Sequence, residues 1–193
     1  MTNKFVLAAL SATMFIPAAA QAQRLQPATV AVVDTDRIAR DCTACRSAAT
    51  QLQSQEATLR TRAQALQTSL QTARTPIEQS VAALNGKQPD AALQTRITAY
   101  QTQERNAQQE LQSGQQRLQS TQANVNQQIG ARLSTIVGTV AAARGASIAV
   151  SKDATLFAAA NVDVTAEVLA QLNTQLPAVS VTPLPQAARP QGR

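Results

Sequence analysis

Few residues in this chain could do chemistry, and their spacing narrows what they can do. Cys42 and Cys45 form a C-x-x-C pair and are the only cysteines in 193 residues. A local disulfide is the favoured reading if the chain enters an oxidising compartment. A helix start or break there would supply the geometry, and so short a closed loop gives only a modest gain. A redox centre would need a surrounding βαβ pattern, which the flanking residues lack. Zinc needs four ligands, and the chain offers two thiols and no His. The plain alternative is two small side chains packed in a helix. Asp34-Thr35-Asp36 has the form of a D-x-D metal motif, but it follows a short β-branched run and precedes a helical one, where Asp and Thr cap routinely. Glu56 and Glu104 sit at apolar-repeat positions, which suits pairing with Arg better than paired-carboxylate catalysis. The absence of His also removes Ser-His-Asp and Cys-His triads. Gly145-Ala-Ser is too short for a phosphate loop and follows a helix instead of opening one, so no cofactor is expected.

The elements that must position these residues are long helices. Of the 78 residues in 51–128, 20 are Gln, and Ala, Leu and Arg fill much of the rest. All are good helix formers. The chain has no Trp, one Tyr and three Phe, two of them (Phe5 and Phe15) near the N-terminus. A compact enzyme buries more large rings than that.

Residues 1–22 read as a secretory signal: Lys4, the apolar run Phe5–Ile16, Pro17, and the A-x-A site Ala20-Gln21-Ala22. The run is too short to span a bilayer, which takes about 20 apolar residues. The expected location is the periplasm, with a mature chain that is soluble and basic.

Ala28–Val33 reads as a strand. Ile38, Cys42, Cys45, Ala49, Leu52, Glu56, Leu59, Ala63, Leu66, Leu70 and Ala73 then alternate steps of four and three, the signature of a coiled-coil seam. Thr75-Pro76-Ile77-Glu78 predicts a kink or restart. Asn85–Asp90 is the strongest breaker in the chain. A second seam runs from Leu93 through Tyr100, Ala107, Gly114, Thr121 and Val125 to Ala143. Two matched seams around one turn predict an antiparallel hairpin, with small seam residues making its packing thin. Ser147–Ser151 and Ala154–Ala158 read as two further strands, and Ala166 to about Leu176 as a short helix. So small a base predicts oligomerisation. Pro177, Pro183, Pro185 and Pro190 mark a tail expected to be disordered.

The order of these parts resembles the Skp/OmpH family of periplasmic chaperones. Three patches carry the likeness: Val30-Ala-Val-Val-Asp-Thr-Asp-Arg-Ile38, Gly145-Ala-Ser-Ile-Ala-Val-Ser-Lys-Asp153 and Asp163-Val-Thr-Ala-Glu-Val-Leu-Ala-Gln-Leu172. With the resemblance, the expected class is α+β, mostly α: a long antiparallel coiled-coil helical hairpin projecting from a small β-rich trimerisation base. The expected divisions are the signal peptide (1–22), the base with its closing helix (23–35 and 145–176), the hairpin (36–144, turning at about 85–90) and the disordered tail (177–193). The resemblance implies a homotrimer that holds unfolded outer-membrane proteins without ATP and is not an enzyme. Val30, Val32, Ile148, Val150, Leu156, Phe157 and Val164 are the expected trimer-base residues. Arg60, Arg62, Arg74, Arg96, Arg105, Arg117 and Arg132 are the expected client-facing cations, against the alternative that they only keep the hairpin soluble. An anionic lipid or lipopolysaccharide surface is a further partner the family raises, with no residue assigned. The alternative function is a structural coiled-coil spacer or adaptor of the envelope. Nucleic-acid binding fits the net charge of +6, but export and the scarcity of stacking rings argue against it.

Overall fold

The computed structural model describes residues 27–184; the expected signal peptide lies outside them. Strand β1 (Val30–Val33) leads into α1 (Thr35–Asp41) and α2 (Thr43–Ala83). Helix α3 (Ala91–Ala143), strand β2 (Ile148–Ser151) and helix α4 (Thr165–Gln175) follow. Asn85 and Gly86 both take positive φ, 46° and 86°, which lets the chain reverse between the arms. Asp90 then caps α3 by accepting from the Leu93 N–H at 2.8 Å.

Because the arms run antiparallel, the chain returns to where it left. β1 and β2 pair in parallel, with Val30 opposite Ile148 and Val33 opposite Ser151. Parallel strands need a long crossover, and here the whole hairpin supplies it. The other edge of β1 is also used: the Val164 N–H donates to Val32 O at 3.0 Å. Under this small sheet, Ile38, Cys42, Cys45, Ile136, Val140, Val168 and Leu172 form one buried cluster. Residues distant in sequence thus share one core at the foot of the arms.

The arms themselves are lightly packed. Leu52, Leu93, Ala107, Thr121 and Val125 are buried, but Leu59, Leu66, Leu70, Ile97, Leu111 and Leu118 are only half-buried. Two helices alone cannot cover both flanks of a seam. At Gly114 the arms touch closely: a Cβ there would stand 2.6 Å from Leu59 Cδ1. One seam position shifts by a residue, since Ala48 is buried and Ala49 exposed.

Three expectations need correction. No helix restarts at Pro76, because α2 runs through it as one element. The seam continues on both sides of that residue, and Pro76 is exposed, so water can reach the carbonyl that loses its partner. Residues 154–158 form no strand: Lys152–Ala154 make a 3-10 turn, and Leu156 and Phe157 stand in solvent. The turn takes the chain off the end of β2, and 154–158 pairs with neither strand of the sheet. The tail is not disordered as far as it is described. Residues 177–184 lie along the arms, with Val179 and Val181 packed beside Ala48, Leu52 and Val125.

Cys42 and Cys45 are joined as a disulfide. It spans the joint between α1 and α2, where Cys42 is extended (φ −66°, ψ 124°) and its Sγ accepts from the Cys45 N–H at 3.2 Å. Closing a four-residue loop is worth about 2 kcal/mol by chain entropy. Reduction is therefore expected to lower the thermal midpoint by several degrees and to leave helix content intact by circular dichroism. A collapse of helix content would show that the disulfide holds the fold rather than one joint.

Candidate functional site

The base is tied together by a polar latch. Asp34 Oδ1 accepts from the Arg37 N–H at 2.7 Å, capping α1, while Oδ2 meets Lys152 Nζ at 3.2 Å. The Asp34 N–H donates to Thr165 Oγ1 at 2.8 Å, and the Thr165 N–H donates to Asp163 Oδ1 at 2.9 Å. D-x-D is therefore a cap and a clamp, and among the described residues no acidic, His or Cys cluster could hold a metal ion. The Arg37 backbone N–H and Lys152 hold the Asp34 carboxyl below the usual carboxylate range. The hydroxyl and N–H of Thr165 do the same for Asp163. Depressed carboxyl pKa values stabilise the fold above the unfolded-state value, and that stability is lost as pH falls through the folded-state value. The base is thus expected to loosen below about pH 4. Amide exchange at Asp34 and Val164 should rise there sooner than exchange in mid-α3, and a uniform rise along the chain would contradict the latch.

The second surface is the flank of the hairpin. Between α2 and α3 a groove of about 1050 Å³ opens from Arg62 and Glu110 toward Ala91 and Gln94. Its floor is mostly small residues, among them Ala65, Ser69, Ala99 and Ala107. Many threonines on these helices bond their own helix instead of reaching outward, as Thr98 does to Gln94 O and Thr102 to Thr98 O.

The seven arginines fall into two groups. Arg60 pairs with Glu56 on its own helix and Arg74 with Glu78. Arg62 reaches across the hairpin to Glu110, with Nε to Oε1 at 2.5 Å and Nη2 to Oε2 at 3.0 Å. That bond holds the Glu110 carboxyl below its usual range and raises the Arg62 pKa. Among the described residues Arg96 and Arg105 meet only hydroxyls, of Ser80 and Thr102. Arg117 and Arg132 are exposed and make no ion pair among the described residues. Glu104 accepts from the Tyr100 hydroxyl at 2.8 Å, so neither seam acid bridges the arms. The bridging acid is Glu110, which counting register outward from the turn would have placed opposite Arg62.

The base residues also divide. Val32 and Val164, at 3% and 4% exposure, belong to the chain's own core and cannot face a neighbour. Val150 is half-buried. Val30 and Ile148, register partners on the sheet, are 37% and 46% exposed, and Phe157 is 84% exposed beside a fully exposed Leu156. Sequence reasoning missed Gln55, Ser120, Asn124 and Gln128, which hold the tail. The four-residue steps Ser120, Asn124 and Gln128 beside the seam were the available signal.

The fold is a small mixed base carrying one long two-helix arm. Residues 29–172 match the family described as outer membrane protein (OmpH-like), and the chain belongs to that family. Comparison with curated protein sequences finds no match. Among solved structures, a crystal structure from Caulobacter crescentus CB15, described as an outer membrane chaperone (OmpH-like), superposes with a TM-score of 0.67. The alignment covers 83% of this chain and 92% of that one at 16% identity, a likeness of fold. Among the described residues no helix is long and apolar enough to cross a membrane.

Proposed function

We propose that this protein is an ATP-independent holdase of the periplasm, binding unfolded outer-membrane proteins between the arms of a homotrimer and preventing their aggregation. Its family and the chaperone description of its structural neighbour support the reading. The observation that carries it is the half-buried seam: Leu59, Leu66, Leu70, Leu111 and Leu118 leave apolar surface along the flank of a basic arm. An unfolded barrel strand offers alternating apolar side chains. Many weak apolar contacts hold such strands without selecting a sequence. Arg96, Arg105, Arg117 and Arg132, which make no ion pair among the described residues, supply long-range attraction to acidic clients or to an anionic lipid surface. The Cys42–Cys45 disulfide suits an oxidising compartment.

Replacing those four arginines with Gln is the test. Stopped-flow association with a urea-unfolded barrel protein is expected to slow about tenfold at low ionic strength and to converge with the parent chain at high salt. Equal rates at low salt would leave the arginines as solubilising charges only.

A further inference from the structure

After Leu176 the chain turns back onto the hairpin and is held by side chains from both arms. Gln128 makes a paired contact with Ser180, accepting its N–H at 2.9 Å and donating to its carbonyl at 3.0 Å. Asn124 donates to Thr182 O at 2.9 Å, and Ser120 Oγ accepts the Leu184 N–H at 3.0 Å. From α2, Gln55 donates to Val181 O at 3.1 Å. All of these contacts are to main chain. Their spacing explains why: four residues along a helix advance about 6 Å, and two residues of extended chain advance about 6.6 Å. A ladder at steps of four on α3 therefore meets alternate residues of any extended segment. Between the polar contacts, Val179 and Val181 rest on the Leu52–Val125 cluster. The strip thus reads an extended backbone with apolar side chains at every second position. It does not end with the tail: shallow depressions sharing walls at Thr58, Arg62 and Ala65 lead from Pro183 to the distal groove.

We propose that residues 178–184 are an internal stand-in for the client. They occupy a main-chain-reading strip on the arms, and an extended, alternately apolar strand of an unfolded outer-membrane protein takes that strip by displacing them. This rests on the holdase reading above and adds to it a defined binding surface and a built-in competitor. A tethered segment competes at an effective concentration near the millimolar range. The apparent affinity for client is lowered by the fraction of time the strip is covered.

The experiment uses full chains carrying Ser180→Pro with Val181→Asp. The proline removes the N–H given to Gln128, and the Asp removes the apolar anchor; both positions lie outside the base core. A fluorescently labelled, urea-unfolded outer-membrane barrel protein is the probe. The released tail is expected to tighten apparent binding about three- to tenfold. Adding Gln128→Ala to that variant is expected to weaken it about fivefold. Equal affinity for parent and tail-release chains overturns the competition. No effect of Gln128→Ala in the released chain overturns the shared strip. If no chain binds the probe at all, the holdase reading has failed and this proposal falls with it. Binding that is alike in every chain sinks this proposal alone.

Discussion

Phe157→Asp is expected to reduce the proposed homotrimer to single chains. Leu156 and Phe157 follow the Lys152–Ala154 turn and stand in solvent, while Val30 and Ile148 lie side by side on the sheet, each partly exposed. These four are the large apolar side chains that the base leaves open among the described residues, and an exposed Leu-Phe pair of this kind marks an interaction site. Burying one Phe is worth about 1.5–3 kcal/mol, and a threefold assembly repeats that gain in every chain. An unpaired carboxylate in the same place loses the gain and adds a desolvation cost of several kcal/mol. Mass by light scattering should fall from three chains to one, with helix content unchanged. Val81→Asp, at an exposed position far out on the arm, should leave the mass alone. An unchanged mass for Phe157→Asp would remove this loop from the interface. Val32→Asp is not a fair substitute, because Val32 is buried within its own chain and the change would unfold the base first.

Leu172→Ala is expected to cost the chain more stability than truncation at a half-buried seam position of the arms. Leu172 is fully buried with Ile38, Val140 and Val168, joining α1, the end of α3 and α4. Removing its branched end leaves a cavity in a cluster with no neighbours free to collapse into it, at a cost of about 2–5 kcal/mol. In a chain of this size that corresponds to roughly 5–15 °C in thermal midpoint. Leu66→Ala, half-buried in the seam, should cost about 1 kcal/mol. Both melts must be run at equal protein concentration, since association shifts the midpoint. Equal losses at the two sites would mean that the arms, not the base, set the stability.

The arms were legible in the sequence because their signals are local. A repeat of four and three needs only neighbouring turns of one helix, and Asn85-Gly86 can take positive φ wherever it lies. The break at Cys42 was legible only in part, since the two cysteines fit the helical seam as well as a helix start or break. What the sequence hid was non-local. Thr155–Ala158 has strand composition, but the Lys152–Ala154 turn carries it out of the sheet and it pairs with no edge. Val32 and Val164 looked like surface for a neighbour because nothing nearby in sequence tells that they cover each other's element. The tail lacks periodicity and carries prolines, yet Gln55, Asn124 and Gln128 order it from more than fifty residues away. Glutamines on a helix read as solvated polar surface until a backbone lies against them.

The most direct measurement of the central claim is aggregation suppression. A urea-unfolded outer-membrane barrel protein is diluted into buffer with increasing amounts of chain 23–193, without nucleotide, and light scattering is followed. A holdase of the proposed kind abolishes the scattering at a ratio of three chains per client, and added salt weakens the protection. Undiminished scattering at several-fold excess of a folded chain would contradict the account and leave the hairpin as a structural spacer of the envelope.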